Sequence, residues 1–221
     1  MKRENDLPRL LREIARCELC KEHLPLGPRP VLAAHRDARI LVVGQAPGRR
    51  VHETGIPWND PSGDRLRDWL GVDRERFYDT RTFGIVPMGF CFPGTGTSGD
   101  LPPRPECAPE WHEALLACMP RIELTILLSR YALDRYLAGR AKENVTETVR
   151  AWREYGPELC PLPHPSPRNN RWLTRNPWFA EEVLPALKRR VRRILRARSA
   201  QTRTAPSATV RRDARRRRKH A

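Results

Sequence analysis

The chain alternates short apolar runs with charged or proline-rich segments, and this pattern predicts its secondary structure. Residues 7–22 carry apolar side chains at helical spacing, which predicts an amphipathic helix whose apolar stripe extends to Leu19. The same criterion predicts further helices at residues 64–70, 109–119, 130–137, 144–152 and 176–195. Pro185 is expected to kink or divide the last of these helices.

Four apolar runs are predicted strands, at residues 38–43, 82–87, 122–128 and 159–162. Because strands alternate with helices, the pattern predicts an α/β fold around a mostly parallel sheet. Ligands of such sheets bind outside the carboxyl ends of the strands. The loops after the first and last runs are therefore expected to share one cleft. The Gly/Pro-rich residues 93–105 are expected to form a loop.

The charge of the chain points to an anionic partner. The 221 residues hold 42 Lys and Arg against 26 Asp and Glu, a net charge of +16. This favours nucleic acid first and an anionic membrane surface second. One domain is predicted over residues 1–195. Residues 196–221 carry +9 with little to bury, and are predicted to be a disordered Arg-rich tail that binds phosphates or is simply solvated.

The apolar runs also bear on location. None approaches the ~20 residues of a membrane span, and the acid-containing N-terminus does not resemble a secretory signal. We therefore expect a cytoplasmic protein without membrane contact, and its basic charge adds an expected association with the nucleoid. The sequence shows no sign of an obligate protein partner, so we expect a monomer. In a reducing compartment the six cysteines are expected to bind metal or remain free thiols.

Four cysteines have spacing that suits a metal site. Cys17 and Cys20 form a C-x2-C pair, and Cys91 and Cys107 flank the Gly/Pro-rich loop with fifteen residues between them. Four thiolates suit an iron–sulfur cluster or zinc, and ligand softness alone does not decide between them. Reduced thiols are the third interpretation. The other two cysteines, Cys118 and Cys160, have apolar neighbours and are expected in the core.

Two loop motifs carry a resemblance to a known family. Gly44-Gln45-Ala46-Pro47-Gly48 follows the first predicted strand, and His164-Pro165-Ser166-Pro167-Arg168 follows the last. In order and separation they resemble the active-site loops of the uracil-DNA glycosylase superfamily, over about residues 8–190. The cysteines resemble those of its subgroup with a [4Fe–4S] cluster. The resemblance implies a three-layer α/β/α fold with a mostly parallel four-stranded sheet, that cluster (alternatively zinc), and DNA as partner.

The resemblance also implies roles for the second loop. His164 would hydrogen-bond the 2-oxo group of the base as negative charge develops there. Ser166 would contact a phosphate, and Arg168 would enter the duplex hole left by the flipped base. Arg171 and Trp172 would extend this contact by phosphate pairing and stacking. Without the resemblance, the segment is an ordinary Pro-rich turn with one solvated histidine.

The first loop departs from the family at its acidic position. The iron–sulfur subgroup has Gly-Glu-Ala-Pro-Gly and the uracil-specific branch Gly-Gln-Asp-Pro-Tyr, so Gln45 and Ala46 leave this chain without either carboxylate. Gln45 can orient a water by hydrogen bonding but cannot act as a base. Asp60 or Asp64 could supply the missing carboxylate. The alternative is that Asp60 or Ser62 caps a helix.

Two further positions bear on the base. Trp58 resembles the aromatic residue that stacks on the extruded base, and its alternative is an ordinary core or surface tryptophan. Pro87 stands where the iron–sulfur subgroup has an Asn that reads uracil, and proline lacks both the side-chain amide and the backbone N–H. The preference for uracil is therefore expected to be relaxed, shifted to another deaminated base, or absent. The resemblance places the rest of the first loop against base or DNA: Gly44, Ala46, Pro47 and Gly48.

Three functions follow from these patterns. The first is a DNA glycosylase that hydrolyses the N-glycosidic bond of uracil or another deaminated base and leaves an abasic site. The second is a nucleic-acid-binding protein that keeps the fold and cluster without catalysis, which the missing carboxylate and Pro87 favour. The third is a zinc-stabilised binding protein.

Overall fold

A computed structural model of the protein describes residues 6–97 and 99–204, with side chains through residue 197. Within this part of the chain the strands are β1 (Ile40–Val43), β2 (Phe83–Ile85), β3 (Thr95–Gly96), β4 (Gly99–Asp100), β5 (Leu124–Leu128) and β6 (Leu159–Leu162). Four of them form a parallel sheet in the order β2-β1-β5-β6, and β3 and β4 form a separate antiparallel hairpin. All four predicted sheet strands are confirmed.

Helices surround this sheet. They are α1 (Leu7–Ala15), α2 (Arg49–Thr54), α3 (Pro61–Leu70), α4 (Arg74–Tyr78), α5 (Cys107–Ala117), α6 (Arg130–Tyr136), α7 (Val145–Arg150), α8 (Asn170–Arg175) and α9 (Leu184–Thr204). The described chain also has 3₁₀ turns at Lys21–His23, Trp152–Tyr155 and Pro167–Asn169, and a π-helical turn at Phe179–Val183.

Each face of the sheet has its own apolar core. Alternate residues of β1 point to opposite faces, as the two-residue period of a strand requires. Leu41 and Val43 pack in the core that contains α1, α5 and α6, whereas Ile40 and Val42 pack in the core that contains α3 and α9. The result is the expected three-layer α/β/α fold with a central four-stranded sheet, all of it parallel.

The first helix is shorter than its pattern predicts. It ends at Ala15 rather than at residue 22, and Leu19 is 56 % exposed, so Leu19 does not continue the apolar stripe. The chain turns through Cys17 and Cys20 before the 3₁₀ turn at Lys21–His23. The predicted loop over residues 93–105 also needs correction, because it contains the β3–β4 hairpin.

The last predicted helix is divided close to the expected place. The π-helical turn at Phe179–Val183 precedes Pro185, whose ring and missing N–H do not fit an uninterrupted α-helical interior. Helix α9 then continues to Thr204, beyond the end predicted at residue 195. Residues 196–204, which were predicted to belong to the disordered tail, are thus helical, and the rest of the Arg-rich tail lies outside the described residues. Along the described chain, no helix combines the length and apolarity that crossing a bilayer requires.

Candidate active site

A cavity of about 540 Å³ opens at the carboxyl ends of the central strands. Its walls come from the loops after β1 and β6, the turn before α3, and the β3–β4 hairpin. This volume lies within the usual range of small-ligand sites, so the cavity can admit an extruded base. It brings together most of the predicted site residues: Gly44, Gln45, Ala46, Pro47, Gly48, Trp58, Asp60, His164, Ser166 and Arg168.

Three predicted residues lie outside the cavity lining. The carboxylate of Asp64 forms an ion pair with Arg67 and is 76 % exposed. Arg171 is exposed on α8. Trp172 is half-buried: its indole N–H donates to the Thr146 hydroxyl at 2.8 Å, and its ring packs edge-on against neighbouring aromatic rings, Trp178 and Phe179. The structure therefore does not bring these three to the place where a base would lie.

His164 has one ring nitrogen already engaged. Its Nδ1 accepts the backbone N–H of Ser166 at 3.2 Å, so in the neutral ring the proton resides on Nε2. Burial lowers the pKa of His164, while the nearby Asp60 opposes this shift. A neutral imidazole with a proton on Nε2 can donate to a carbonyl oxygen on which negative charge develops.

The loop around His164 is held by hydrogen bonds both within it and from neighbouring residues. The side-chain amide of Asn169 donates to the His164 carbonyl at 2.7 Å, and Arg65 of α3 donates to the Ser166 carbonyl at 3.0 Å. The Ser166 hydroxyl accepts the backbone N–H of Arg168 at 3.2 Å, which starts the 3₁₀ turn. These bonds fix the imidazole before any ligand binds, and such preorganisation makes a hydrogen-bond donor effective in catalysis.

The indole of Trp58 packs against the face of the His164 ring. The two rings stack with centroids 5.6 Å apart and an interplanar angle of 30°. The indole also lies against Gly44, where an added Cβ would come within 2.9 Å of it. Gly44 therefore matters because its lack of a side chain leaves room for the tryptophan.

The turn that carries Trp58 is held in an unusual conformation. Trp58 has a φ of +57°, in the left-handed region that non-glycine residues seldom occupy. Tyr78 donates to the Pro57 carbonyl at 2.9 Å, and Arg67 donates to the Trp58 carbonyl at 3.3 Å. Gly63 of α3 lies directly beneath, where an added Cβ would be 1.8 Å from the Trp58 carbonyl oxygen. Hydrogen bonds from Tyr78 and Arg67 thus hold the turn, and the absence of a side chain at Gly63 leaves room for it.

Asp60 and Gln45 both have partners in the cavity wall. Asp60 caps α3, since its Oδ1 accepts the Gly63 N–H at 2.8 Å; it also lines the cavity, so the two interpretations of this residue are compatible. The side-chain amide of Gln45 donates to the Leu101 carbonyl at 3.2 Å. Gln45 therefore connects the first loop to the chain that follows β4.

The cavity also contains a carboxylate that the sequence patterns missed. Asp100 ends β4 and lies at the cavity rim, where an added Cβ at Gly48 would be 3.1 Å from its Oδ2. Partial burial raises the pKa of Asp100, against the lowering effect of Arg168 and the Thr95 hydroxyl. One signal was available: Asp100 is the only acidic residue in residues 93–105.

Pro87 lines the cavity and is fixed from behind by a buried histidine. His112 Nε2 donates to the Pro87 carbonyl at 3.0 Å, and its Nδ1 lies 2.8 Å from the Tyr136 hydroxyl. A carbonyl can only accept, so Nδ1 accepts from the tyrosine. Burial lowers the pKa of His112 to about 4, which keeps this ring neutral.

The four cysteines singled out by spacing line a second, smaller cavity. Its walls include Cys17 after α1, Cys20, Cys91 and Cys107, the first residue of α5. Burial, with a smaller contribution from charge on the other cavity thiols, raises the pKa of Cys107 to about 12 and that of Cys91 to about 11. In the part of the chain described, no set of three or more His, Cys, Asp or Glu side chains is already arranged to hold one metal ion.

Two donors lie close to these thiols. The Phe90 backbone N–H donates to Cys107 Sγ at 3.3 Å. Trp111 lines the same cavity and has a buried indole N–H that finds no hydrogen-bond partner among the described residues. The remaining cysteines, Cys118 and Cys160, are buried in the two apolar cores, as expected.

A comparison with protein families agrees with this geometry. The model of the Uracil DNA glycosylase superfamily matches residues 32–188, which is more than half of the chain. The matched segment contains every residue that we find in the larger cavity except Val31.

Proposed function

The chain belongs to the uracil-DNA glycosylase superfamily, and we propose that it is a DNA glycosylase that hydrolyses the N-glycosidic bond of uracil or another deaminated base. The observation that carries this proposal is the neutral His164, which lies on the cavity wall with its Nε2–H as donor and Trp58 stacked on it. The chemistry needs such a donor, because the base departs as an anion. This substrate implies a nucleoid-associated protein.

The first step of the proposed reaction is extrusion of the base. A glycosidic bond in duplex DNA is inaccessible within the stack, so the nucleotide must turn into the cavity. There the indole of Trp58 offers a flat apolar surface for the base. His164 then donates to the base carbonyl oxygen on which negative charge accumulates as the C1′–N bond breaks. A preorganised donor of this kind is worth about 10²–10³ in rate.

Arginine side chains lie at the face of the site that we assign to DNA. Arg168 lies on the rim beside the hairpin, where a Cβ at Gly99 would be 2.1 Å from its Nη1. We propose that its side chain enters the space vacated by the extruded base, and that Ser166 and the exposed Arg171 contact phosphates. The net charge of +16 supports a strong, salt-dependent attraction to the duplex. Trp172 packs inside an aromatic cluster, so we assign it no base contact.

The base preference should differ from that of a uracil reader with an asparagine at position 87. Pro87 presents neither a side-chain amide nor an N–H to the cavity, so this wall cannot discriminate by paired hydrogen bonds. We therefore propose a preference that extends to other deaminated bases.

Base release from a panel of labelled oligonucleotides tests the function. The panel carries uracil, hypoxanthine, xanthine or ethenocytosine, each in single- and double-stranded DNA, with protein purified without oxygen and assayed at low salt. We expect release of at least one base and an abasic product. If no base is released while the same oligonucleotides bind tightly, the second candidate replaces the first: a DNA-binding protein without catalysis, which Gln45 and Pro87 favour.

We further propose that Cys17, Cys20, Cys91 and Cys107 hold a [4Fe–4S] cluster. Their common cavity and their mutual effect on pKa support this ligand set. The partnerless indole N–H of Trp111 suits an acceptor-rich group, such as the sulfides of a cluster. When bound, the cluster would join the end of α1, the Phe90–Cys91 segment and the start of α5. Its role is structural.

Metal and sulfide content test this cofactor. Protein purified without oxygen should be brown and contain iron and acid-labile sulfide in equal amounts. Cys20→Ser should lose the colour and melt at lower temperature, because one of four ligands is gone. Cys118→Ala is the matched control, since this thiol is buried away from the cavity. A colourless protein with one zinc per chain would contradict the cluster and support the zinc alternative.

A further inference from the structure

The side chain of Asp100 places a carboxylate beside the first loop, Gly44–Gly48, which has no acidic residue of its own. The carboxylate of Asp100, on the neighbouring hairpin, lies close enough to Gly48 that an added Cβ there would be 3.1 Å from Oδ2. Both residues line the cavity that contains His164. The hairpin therefore brings an acid to the loop from a distant part of the sequence.

Gln45 explains how the hairpin is held there. Its side-chain N–H donates to the Leu101 carbonyl, one residue after Asp100. The Leu101 N–H in turn donates to the Gly94 carbonyl at 2.9 Å, which closes the base of the hairpin. An ionised glutamate side chain at position 45 would have no N–H to donate, and its negative charge would face the Leu101 carbonyl oxygen. Glutamine at position 45 and aspartate at position 100 are thus complementary.

The surroundings of Asp100 suit a base. Arg168 of the second loop and Arg49 of α2 attract its charge, the Thr95 hydroxyl of β3 donates to it, and Asp60 before α3 repels it. Partial burial is the largest influence and raises the pKa of Asp100 above its ordinary value. The carboxylate is consequently a stronger base than a fully solvated aspartate.

Asp60 is less suited to the same task. One of its oxygens accepts the Gly63 N–H, an N-cap bond that fixes the start of α3. Its charge also raises the pKa of His164, so Asp60 acts on the histidine wall of the cavity as well as on Asp100. Asp60 therefore helps to hold the base-binding wall, whereas Asp100 faces the first loop.

We propose that Asp100 binds and orients the attacking water, with Gln45 as the positioning residue that holds Asp100 in place. This assignment rests on the proposed glycosylase function. The C1′–N bond breaks and its electron pair leaves with the base, whose carbonyl oxygen accepts from His164. The water oxygen bonds to C1′ and passes its proton to the Asp100 carboxylate, which releases it to solvent. The base anion then takes a proton from solvent.

Single-turnover base release as a function of pH tests Asp100, on the oligonucleotide of the panel that the parent protein cleaves fastest. Asp100→Asn should slow release about tenfold or more and remove the decline in rate on the acid side. DNA affinity, measured by fluorescence anisotropy on the same oligonucleotide, should stay unchanged. Asp60→Asn is the control within the cavity and should keep the acid-side decline. A full rate and an unaltered pH profile in Asp100→Asn would overturn the assignment.

Two further variants separate water activation from a purely structural role. Asp100→Ala should regain activity when formate is added, because a small carboxylate can occupy the vacated space; a lack of rescue in a variant that melts like the parent counts against the proposal. Arg168→Ala should keep the acid-side decline. If it instead reproduces the pH profile of Asp100→Asn, Asp100 serves only to hold that arginine. If the parent protein releases no base at all, the glycosylase function itself fails, and this role fails with it.

Discussion

Replacing His164 with alanine should slow base release about 100- to 1,000-fold, because it removes a preorganised donor that faces the leaving base. Affinity for the same oligonucleotide should change by no more than about threefold, since the interaction strengthens only as charge develops in the transition state. Single-turnover release and anisotropy, measured on one labelled duplex, give the two quantities side by side.

Two other variants make this result specific. His164→Gln keeps an N–H donor and should fall between the parent and His164→Ala. His35→Ala is the matched control, because this histidine lies outside the cavity lining and its Nδ1 accepts the Asp37 N–H. Base release by His164→Ala at the rate of the parent protein would show that the assigned chemistry is wrong.

Among the glycines of the described chain, Gly63 should be the one where substitution by alanine is most damaging. Alanine usually stabilises a helix interior relative to glycine, but here the added Cβ would lie 1.8 Å from the Trp58 carbonyl oxygen, which is backbone and cannot turn aside. The Trp58 turn must move or α3 must shift, at a cost of about 3 kcal/mol in unfolding free energy. Movement of the turn would also separate Trp58 from His164 and abolish base release.

Chemical denaturation together with tryptophan fluorescence measures both effects. Gly156→Ala is the control, since an added Cβ there meets its nearest neighbour at 3.8 Å and φ is −74°. That variant should stay within about 0.5 kcal/mol of the parent protein. An unchanged unfolding free energy in Gly63→Ala would mean that α3 does not support the Trp58 turn in solution.

The sheet was predictable because its signal lies within each strand. A parallel strand buried on both faces needs consecutive apolar residues, and runs such as β1 and β5 satisfy this without reference to the rest of the chain. Short helices such as α2 and α4 have too few turns for a periodic pattern, so the apolar spacing does not predict them. The end of α1 differs from the prediction because Leu19 is apolar yet exposed, so its apolarity does not mark a buried helical position.

The candidate site was predictable only in part, for a related reason. Gln45 and His164 follow parallel strands whose carboxyl ends lie at the same edge of the sheet, with β5 between them, so topology places both at one edge. Asp100 belongs to a hairpin with two residues in each strand, too short for alternation, and its place beside Gly48 depends on the distant Gln45–Leu101 hydrogen bond. The positive φ of Trp58 likewise comes from contacts with α3 and α4 that no local pattern encodes.

The neutral state of His112 simplifies how kinetic data on this protein can be interpreted. Burial holds its pKa near 4, so between about pH 5 and pH 8 its Nδ1 keeps accepting from Tyr136 while its Nε2 keeps donating to Pro87. Titration of this histidine therefore does not reshape that wall of the cavity over the interval. An inflection in a rate profile there belongs to groups other than His112, and the curve can be fitted without a conformational change driven by its protonation.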